Sequence, residues 1–165
     1  MIPDDDRLLK LAREVGVWLV ARGEKLATAE SCTAGWIAKA ITDVAGSSEW
    51  FHAGIASYAD EAKTLLLGVP AKLLKAEGAV SKAVVEAMAQ GALERSGADR
   101  AVAVSGIAGP GGGTEEKPVG TVWFAWARRD GDEVLLKTRL EHFQGDRDGI
   151  RRQAVGRALA GIMMS

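Results

Sequence analysis

Glu30-Ser31-Cys32-Thr33 sets a carboxylate, two hydroxyls and the chain's only thiol side by side, between an apolar run and the start of a helical pattern. A serine where a strand gives way to a helix is held rigidly. The unpaired N–H groups of the helix start can stabilise an oxyanion, so the position suits acyl transfer. It suits a helix cap equally well, and from position alone capping by Ser31 or Thr33 is the commoner use. Cys32 is a rival nucleophile, although a lone cysteine in an apolar neighbourhood is more often an inert core residue. A serine nucleophile also needs a base. Imidazole is poorly supplied: His52 precedes a strand pattern and His142 adjoins a late loop. Lys63, among Leu65, Leu66 and Leu67, could lose its proton near neutrality if partly desolvated. Tyr58, the only tyrosine, lies close enough in sequence to relay a proton or orient the amine. The plain alternative for Lys63 is a solvated surface lysine.

Two further stretches could bind an anion. Residues 105 to 120, SGIAGPGGGTEEKPVG, carry Gly106, Gly109, Gly111, Gly112 and Gly113, whose backbone amides can approach a phosphate or ribose closely. The spacing fits neither a P-loop nor a dinucleotide fingerprint, and Pro110 and Pro118 argue against a loop that is merely flexible. Residues 143 to 153, FQGDRDGIRRQ, bring Arg147, Arg151 and Arg152 to a helix start. There one or two guanidinium groups could clamp an anion, or simply face solvent with Asp146 or Asp148 as the cap. Arg147 is the better candidate, read as lying in the loop just after Gly145. Trp36 and Trp50 flank the reactive stretch and could line a pocket for a flat ring, with core packing as the default.

The elements that must position these residues follow from periodicity. Residues 6 to 22 form an amphipathic helix preceded by Asp4, Asp5 and Asp6, and KLATAE is a short strand. A second helix is expected from Thr33 to Gly46, then a strand over HAGIASY and a short helix or turn over DEAKTLLLG. Pro70 opens another short helix, and Ser81 caps a longer one running to about Arg95. RAVAVS is a buried strand, VGTVWFAWA and EVLLKTRLEHF form a hairpin across Arg129–Asp132, and a last amphipathic helix carries Ile150, Ala154, Ala158 and Ile162. Interleaved helices and strands with one hairpin predict an α/β layered single domain, residues 1–165, with a mixed β-sheet flanked by helices.

Composition narrows the class. The chain has 165 residues, 47% hydrophobic and 26% charged, with 21 basic against 22 acidic residues and a net charge of −1. Such balance leaves no electrostatic footprint for nucleic acid or an anionic membrane. One cysteine forbids an internal disulfide and a multi-thiolate metal site, and it suits a reducing cytoplasm. The acidic start and the lack of a long apolar run predict no signal peptide and no membrane span.

Five stretches, ATAESCTAGWIA, SYADEAKTLLLGV, GAVS, AVAVSGIAGPGGGTEEKPVGTVWFA and FQGDRDGIRRQAV, together resemble the C-terminal domain of the CinA (competence/damage-inducible) family, whose stand-alone form is a nicotinamide-nucleotide amidohydrolase. The resemblance implies a CinA-like fold and hydrolysis of the carboxamide of nicotinamide mononucleotide, giving nicotinic acid mononucleotide and ammonia. It implies a serine nucleophile and a lysine base at Ser31 and Lys63, with Tyr58 beside them, and no metal or redox cofactor. The oxyanion is expected on the amides around Cys32 to Ala34. Substrate contacts are expected from Glu30, Cys32, Thr33, Ala34, Gly35, Ser105, Gly106, Gly109, Gly111, Gly112, Thr114 and Arg147. The family commonly has asparagine where Asp60 stands, and a carboxylate there is expected to raise the Lys63 pKa. The N-terminal domain of full-length CinA proteins is missing, so its metal-dependent pyrophosphatase activity is not expected. The expected partner is the small-molecule substrate, without nucleic acid or membrane, in a cytoplasmic homo-oligomer. The competing reading is a non-catalytic nucleotide-sensing or protein-interaction module linked to competence or DNA damage.

Overall fold

Leu26, Ala27, Thr28, Ala29 and Glu30 are all buried, because the strand they form, β1 (Leu26–Glu30), has helices on both faces. That explains an alanine-rich strand without polar alternation: small side chains let both helical layers approach. The computed structural model describes residues 1 to 165. On one side of β1 runs β2 (Phe51–Ala56) and on the other β3 (Arg100–Gly106), both parallel to it. The sheet continues antiparallel through β4 (Thr121–Asp130) and β5 (Glu133–His142), in the order β2-β1-β3-β4-β5. The β4–β5 turn is the pair Gly131-Asp132, with Gly131 at φ 61°. No helix is long and apolar enough to cross a membrane.

Six helices cover the sheet: α1 (Asp5–Val20), α2 (Trp36–Thr42), α3 (Asp60–Leu67), α4 (Ala71–Glu77), α5 (Lys82–Ser96) and α6 (Arg147–Ile162). Helices α1, α2 and α6 build one core against the sheet, with Leu11, Val15, Ile37, Phe124 and Leu159. Helices α3, α4 and α5 build the other, where Leu67, Leu74, Val85 and Met88 meet Ala29 and Ala103. This is the mixed, layered α/β architecture expected from sequence. The Ser81 cap agrees as well, its hydroxyl accepting from the Val84 amide at 3.4 Å, while at α1 Asp4 takes the cap by accepting from the Arg7 amide at 2.8 Å. Helix α5 meets α3 so closely that a Cβ on Gly91 would lie 1.8 Å from the Leu67 carbonyl oxygen.

Three elements differ from expectation in where they begin or end. Helix α2 begins at Trp36, not Thr33, and ends at Thr42. Ala34 (φ 49°) and Gly35 (φ 91°) are both left-handed, a conformation that cannot continue a right-handed helix, so Ser31 to Gly35 form turns. Strand β2 runs from Phe51 to Ala56, so His52 lies within it and Ser57 and Tyr58, expected at its end, lie beyond it. Arg147 is the first residue of α6 and not a loop residue, because Asp146 caps that helix by accepting from the Gly149 amide at 2.8 Å.

Candidate active site

The parallel register pairs Glu30 with Ala56 on one side and with Val104 on the other. The ladder runs one residue further: the Ser57 amide donates to the Glu30 carbonyl at 2.8 Å, and the Ser31 amide donates to the Val104 carbonyl at 3.0 Å. Ser57, Ser31 and Ser105 therefore stand in one row across the carboxyl ends of three adjacent strands. Strand alternation puts them on the face of Ile55, Ala29 and Ala103, the side of α3 and α5. All three are buried, Ser31 least so at 8% exposure. Open α/β sheets bind ligands at such strand ends, where successive crossovers leave to opposite faces.

Lys63, on α3, is 1% exposed. Its Nζ donates to the carbonyl of Ser57 at 3.1 Å and to that of Tyr58 at 2.9 Å. Burial pushes its pKa below the ordinary lysine range; Asp60 and Cys32 oppose that shift without reversing it. The carboxylate of Asp60 thus acts in the direction expected, but desolvation outweighs it. A neutral amine has two N–H donors and one lone pair. With both donors spent on backbone carbonyls, the lone pair of neutral Lys63 is left as an acceptor. Cys32 behaves differently. Burial pushes its thiol up to about 12, so it is protonated and a poor nucleophile at neutral pH.

The turn carrying Ser31 is braced from two sides. Glu30, 1% exposed, accepts at one carboxylate oxygen from Thr33 Oγ1 (2.7 Å) and the Ile37 amide (2.8 Å). At the other it accepts from the Ala38 amide (3.0 Å) and Thr28 Oγ1 (3.3 Å). These four bonds use the acceptor capacity of the Glu30 carboxylate, which together with the Thr33 hydroxyl positions the turn. From the other side Arg151 donates to the carbonyls of Cys32 at 3.0 Å and Thr33 at 3.2 Å. Of the amides expected to hold an oxyanion, that of Ala34 is spent on the Ser31 carbonyl at 3.0 Å. Those of Cys32 and Thr33 donate to no backbone acceptor. Ala34 and Gly35 shape the turn through their backbone and, with Thr33, line a hollow of about 360 Å³ beside Trp36.

The glycine-rich segment divides by role. Gly106 belongs to β3, where a Cβ would meet Val122 Cγ2 at 2.6 Å, so it serves close strand packing. Gly109 (φ 78°) and Gly112 (φ 85°) supply left-handed turns, and the amides of Gly111 and Gly112 have no acceptor within the chain. Thr114 closes its own turn, its Oγ1 accepting from the Lys117 amide at 3.0 Å. Arg147 donates to the Gly109 carbonyl at 2.6 Å and to the Tyr58 phenol at 3.2 Å, joining this loop to the segment before α3. The Tyr58 phenol thus faces Arg147, and it is the Tyr58 carbonyl that orients the lysine. Arg151 and Arg152 are committed elsewhere, Arg152 to Asp5 and Asp148. Trp50 does not face the serine row: it is 3% exposed, packed against Gly16 in the core on the side of α1, α2 and α6. Trp36 stacks beneath Arg151 and Arg152, about 5 Å from each, on the opposite face of the sheet from the serine row.

The model of the CinA C-terminal domain matches residues 8–165. The chain belongs to this family. A relative, the nicotinamide-nucleotide amidohydrolase PncC of Escherichia coli (strain K12), is 56% identical over 155 residues, 94% of this chain and 92% of its own. A protein of the same description from Pseudomonas putida is 52% identical, covering 96% of each chain. Among solved structures, the competence/damage inducible protein CihA of Agrobacterium tumefaciens superposes with a TM-score of 0.90 at 43% identity, covering 99% of this chain and 97% of that one. Within this CinA domain, sequence reasoning missed Ser57 and the strap from Arg151 to the Ser31 turn. Neither has a local motif; only sheet register and the packing of α6 bring them to the site.

Proposed function

We propose that this CinA domain hydrolyses the carboxamide of nicotinamide mononucleotide by a serine–lysine mechanism. The observation that carries the reading is the buried Lys63, with both N–H donors of its neutral form taken by the Ser57 and Tyr58 carbonyls, beside the strand end that presents Ser31. The descriptions of the two full-length relatives support the substrate. Ser31 Oγ attacks the carboxamide carbon while its proton passes to Lys63. The free amides of Cys32 and Thr33 hold the developing oxyanion. The tetrahedral adduct collapses as the proton returns to the departing nitrogen, releasing ammonia. Water, deprotonated by the same amine, then cleaves the ester. Arg147 and the amides of Gly111 and Gly112 grip the phosphate, and that remote binding aligns the amide with Ser31.

The same reading takes the enzyme as cytoplasmic, on its single cysteine, and without a nucleic-acid partner, on its net charge of −1. It also takes it as a homo-oligomer, supported by the exposed Leu65 and Leu66 on α3, which sedimentation of the purified protein tests. The decisive assay is ammonia release from nicotinamide mononucleotide by the purified protein and its Ser31→Ala variant. Turnover by the former alone supports the mechanism. Binding without turnover by the unaltered protein would favour the nucleotide-sensing module instead.

A further inference from the structure

Ser57 is fully buried, yet its Oγ has no hydrogen-bond partner. The one other buried side-chain oxygen without such a partner, Glu141 Oε1, lies 2.6 Å from Arg139 and 2.9 Å from Arg157, so it is compensated by charge. Ser57 is not. Leaving a hydroxyl desolvated and unpaired lowers stability for no structural return. Its main chain is fully engaged: the amide continues the β1–β2 ladder and the carbonyl holds Lys63 Nζ. Removing the hydroxyl would therefore disturb no contact seen in the fold.

The register gives the hydroxyl its context. Ser57 is the neighbour of Ser31 in the row across the strand ends, where adjacent strands lie about 4.8 Å apart. Rotation among staggered positions about one bond is enough to bring Ser57 Oγ toward Ser31 Oγ. Lys63 Nζ sits at 3.1 Å from the carbonyl of the same residue, so Ser57 adjoins the nucleophile through the sheet register and the base through its own carbonyl. No bond from Lys63 runs to Ser31; its two donors go to carbonyls.

We propose that Ser57 is the proton relay between Ser31 and Lys63. The inference rests on the serine–lysine reading above. As Ser31 Oγ bonds to the carboxamide carbon, its proton moves to Ser57 Oγ while the Ser57 proton moves to the lone pair of Lys63. Ser57 remains neutral and Lys63 becomes an ammonium. When the tetrahedral adduct collapses, Lys63 returns its proton to Ser57 Oγ while the Ser57 proton passes to the departing nitrogen, so the carbon–nitrogen bond breaks, ammonia leaves, and Ser31 Oγ stays bonded to the carbon. No further reactant is consumed. The unpaired hydroxyl finds its partners only while the reaction proceeds, so its cost in the resting protein is a trade of stability for turnover.

The test is Ser57→Ala in the full chain with nicotinamide mononucleotide, reading kcat, KM, Tm and the dependence of single-turnover acylation on deuterium fraction. The expected result is a kcat lower by roughly a hundredfold, an unchanged KM and a Tm equal to or above that of the parent. Acylation should depend on deuterium content along a curve in the parent, where two protons move, and along a straight line in the variant. An unchanged kcat, or a Tm that falls along with activity, overturns the relay. Ser31→Ala and Lys63→Met, assayed in parallel, separate the two readings. If both are inactive while Ser57→Ala is fully active, only the relay is lost; if either retains full turnover, the serine–lysine mechanism itself fails.

Discussion

Arg147 reaches across the fold to Tyr58, its guanidinium donating to the phenol at 3.2 Å while a second nitrogen holds the Gly109 carbonyl at 2.6 Å. One exposed cation thus ties the start of α6 to both segments that border the strand ends. In the proposed complex the same guanidinium grips the substrate's phosphate. Arg147→Ala should reduce kcat/KM for the mononucleotide by about 1.5–3 kcal/mol, the range for a charge-assisted bond, and scarcely alter that for the riboside. Equal losses on the two substrates would make Arg147 a brace for the loop. Tyr58→Phe should cost less than Lys63→Met, since the lysine is oriented by the Tyr58 carbonyl and not by its phenol.

The pH profile should report Lys63. Its pKa is depressed by burial, and the proposed base acts when neutral, so kcat/KM rises as pH increases through that pKa. The Asp60 carboxylate raises the lysine's pKa. Asp60→Asn removes that charge, and the acid limb should move to lower pH. A shift to higher pH would show that another group controls the limb.

Ser31→Ala should abolish deamidation, by on the order of a thousandfold or more, while Cys32→Ala is mild. The Cys32 thiol is 6% exposed, with its pKa pushed up to about 12. Iodoacetamide should therefore leave the native protein active. Rapid inactivation with label on Cys32, together with an active Ser31→Ala variant, would exchange the two roles.

Glu30→Gln should destabilise the fold by roughly 2 kcal/mol, because an amide nitrogen replaces one acceptor oxygen among four donors. Urea denaturation checks this through a lower midpoint at unchanged slope. A neutral result would mean that the turn holds its shape without the carboxylate.

Much of this arrangement is legible in the chain. Ser31 at a strand-to-helix junction, the irregular glycine-rich segment 105–120 and the mixed sheet all follow from local pattern. What escaped is non-local. Thr33 looks like a helix start until the left-handed pair Ala34-Gly35 delays the helix to Trp36. Glu30 looks like a substrate contact until its carboxylate is seen to cap α2. Trp50 adjoins the reactive stretches in sequence, yet Gly16, distant along the chain, makes room for its ring in the core. Ser57 has nothing near it in sequence to distinguish it; only the alignment of three parallel strands sets it beside Ser31.

Gly91 has no functional group and lies on α5, outside the serine row. Yet the Leu67 carbonyl of α3 occupies the space a methyl group would need there. Any larger residue must push α3, and with it Lys63, away from the strand ends, and a misplacement of about 1 Å can lower turnover a hundredfold. A genetic screen scored only on growth from nicotinamide mononucleotide would therefore recover Gly91 substitutions beside those of Ser31. Such a screen maps what the chemistry needs held in place as well as what performs it, and only measured binding and folding of each mutant protein would tell the two classes apart.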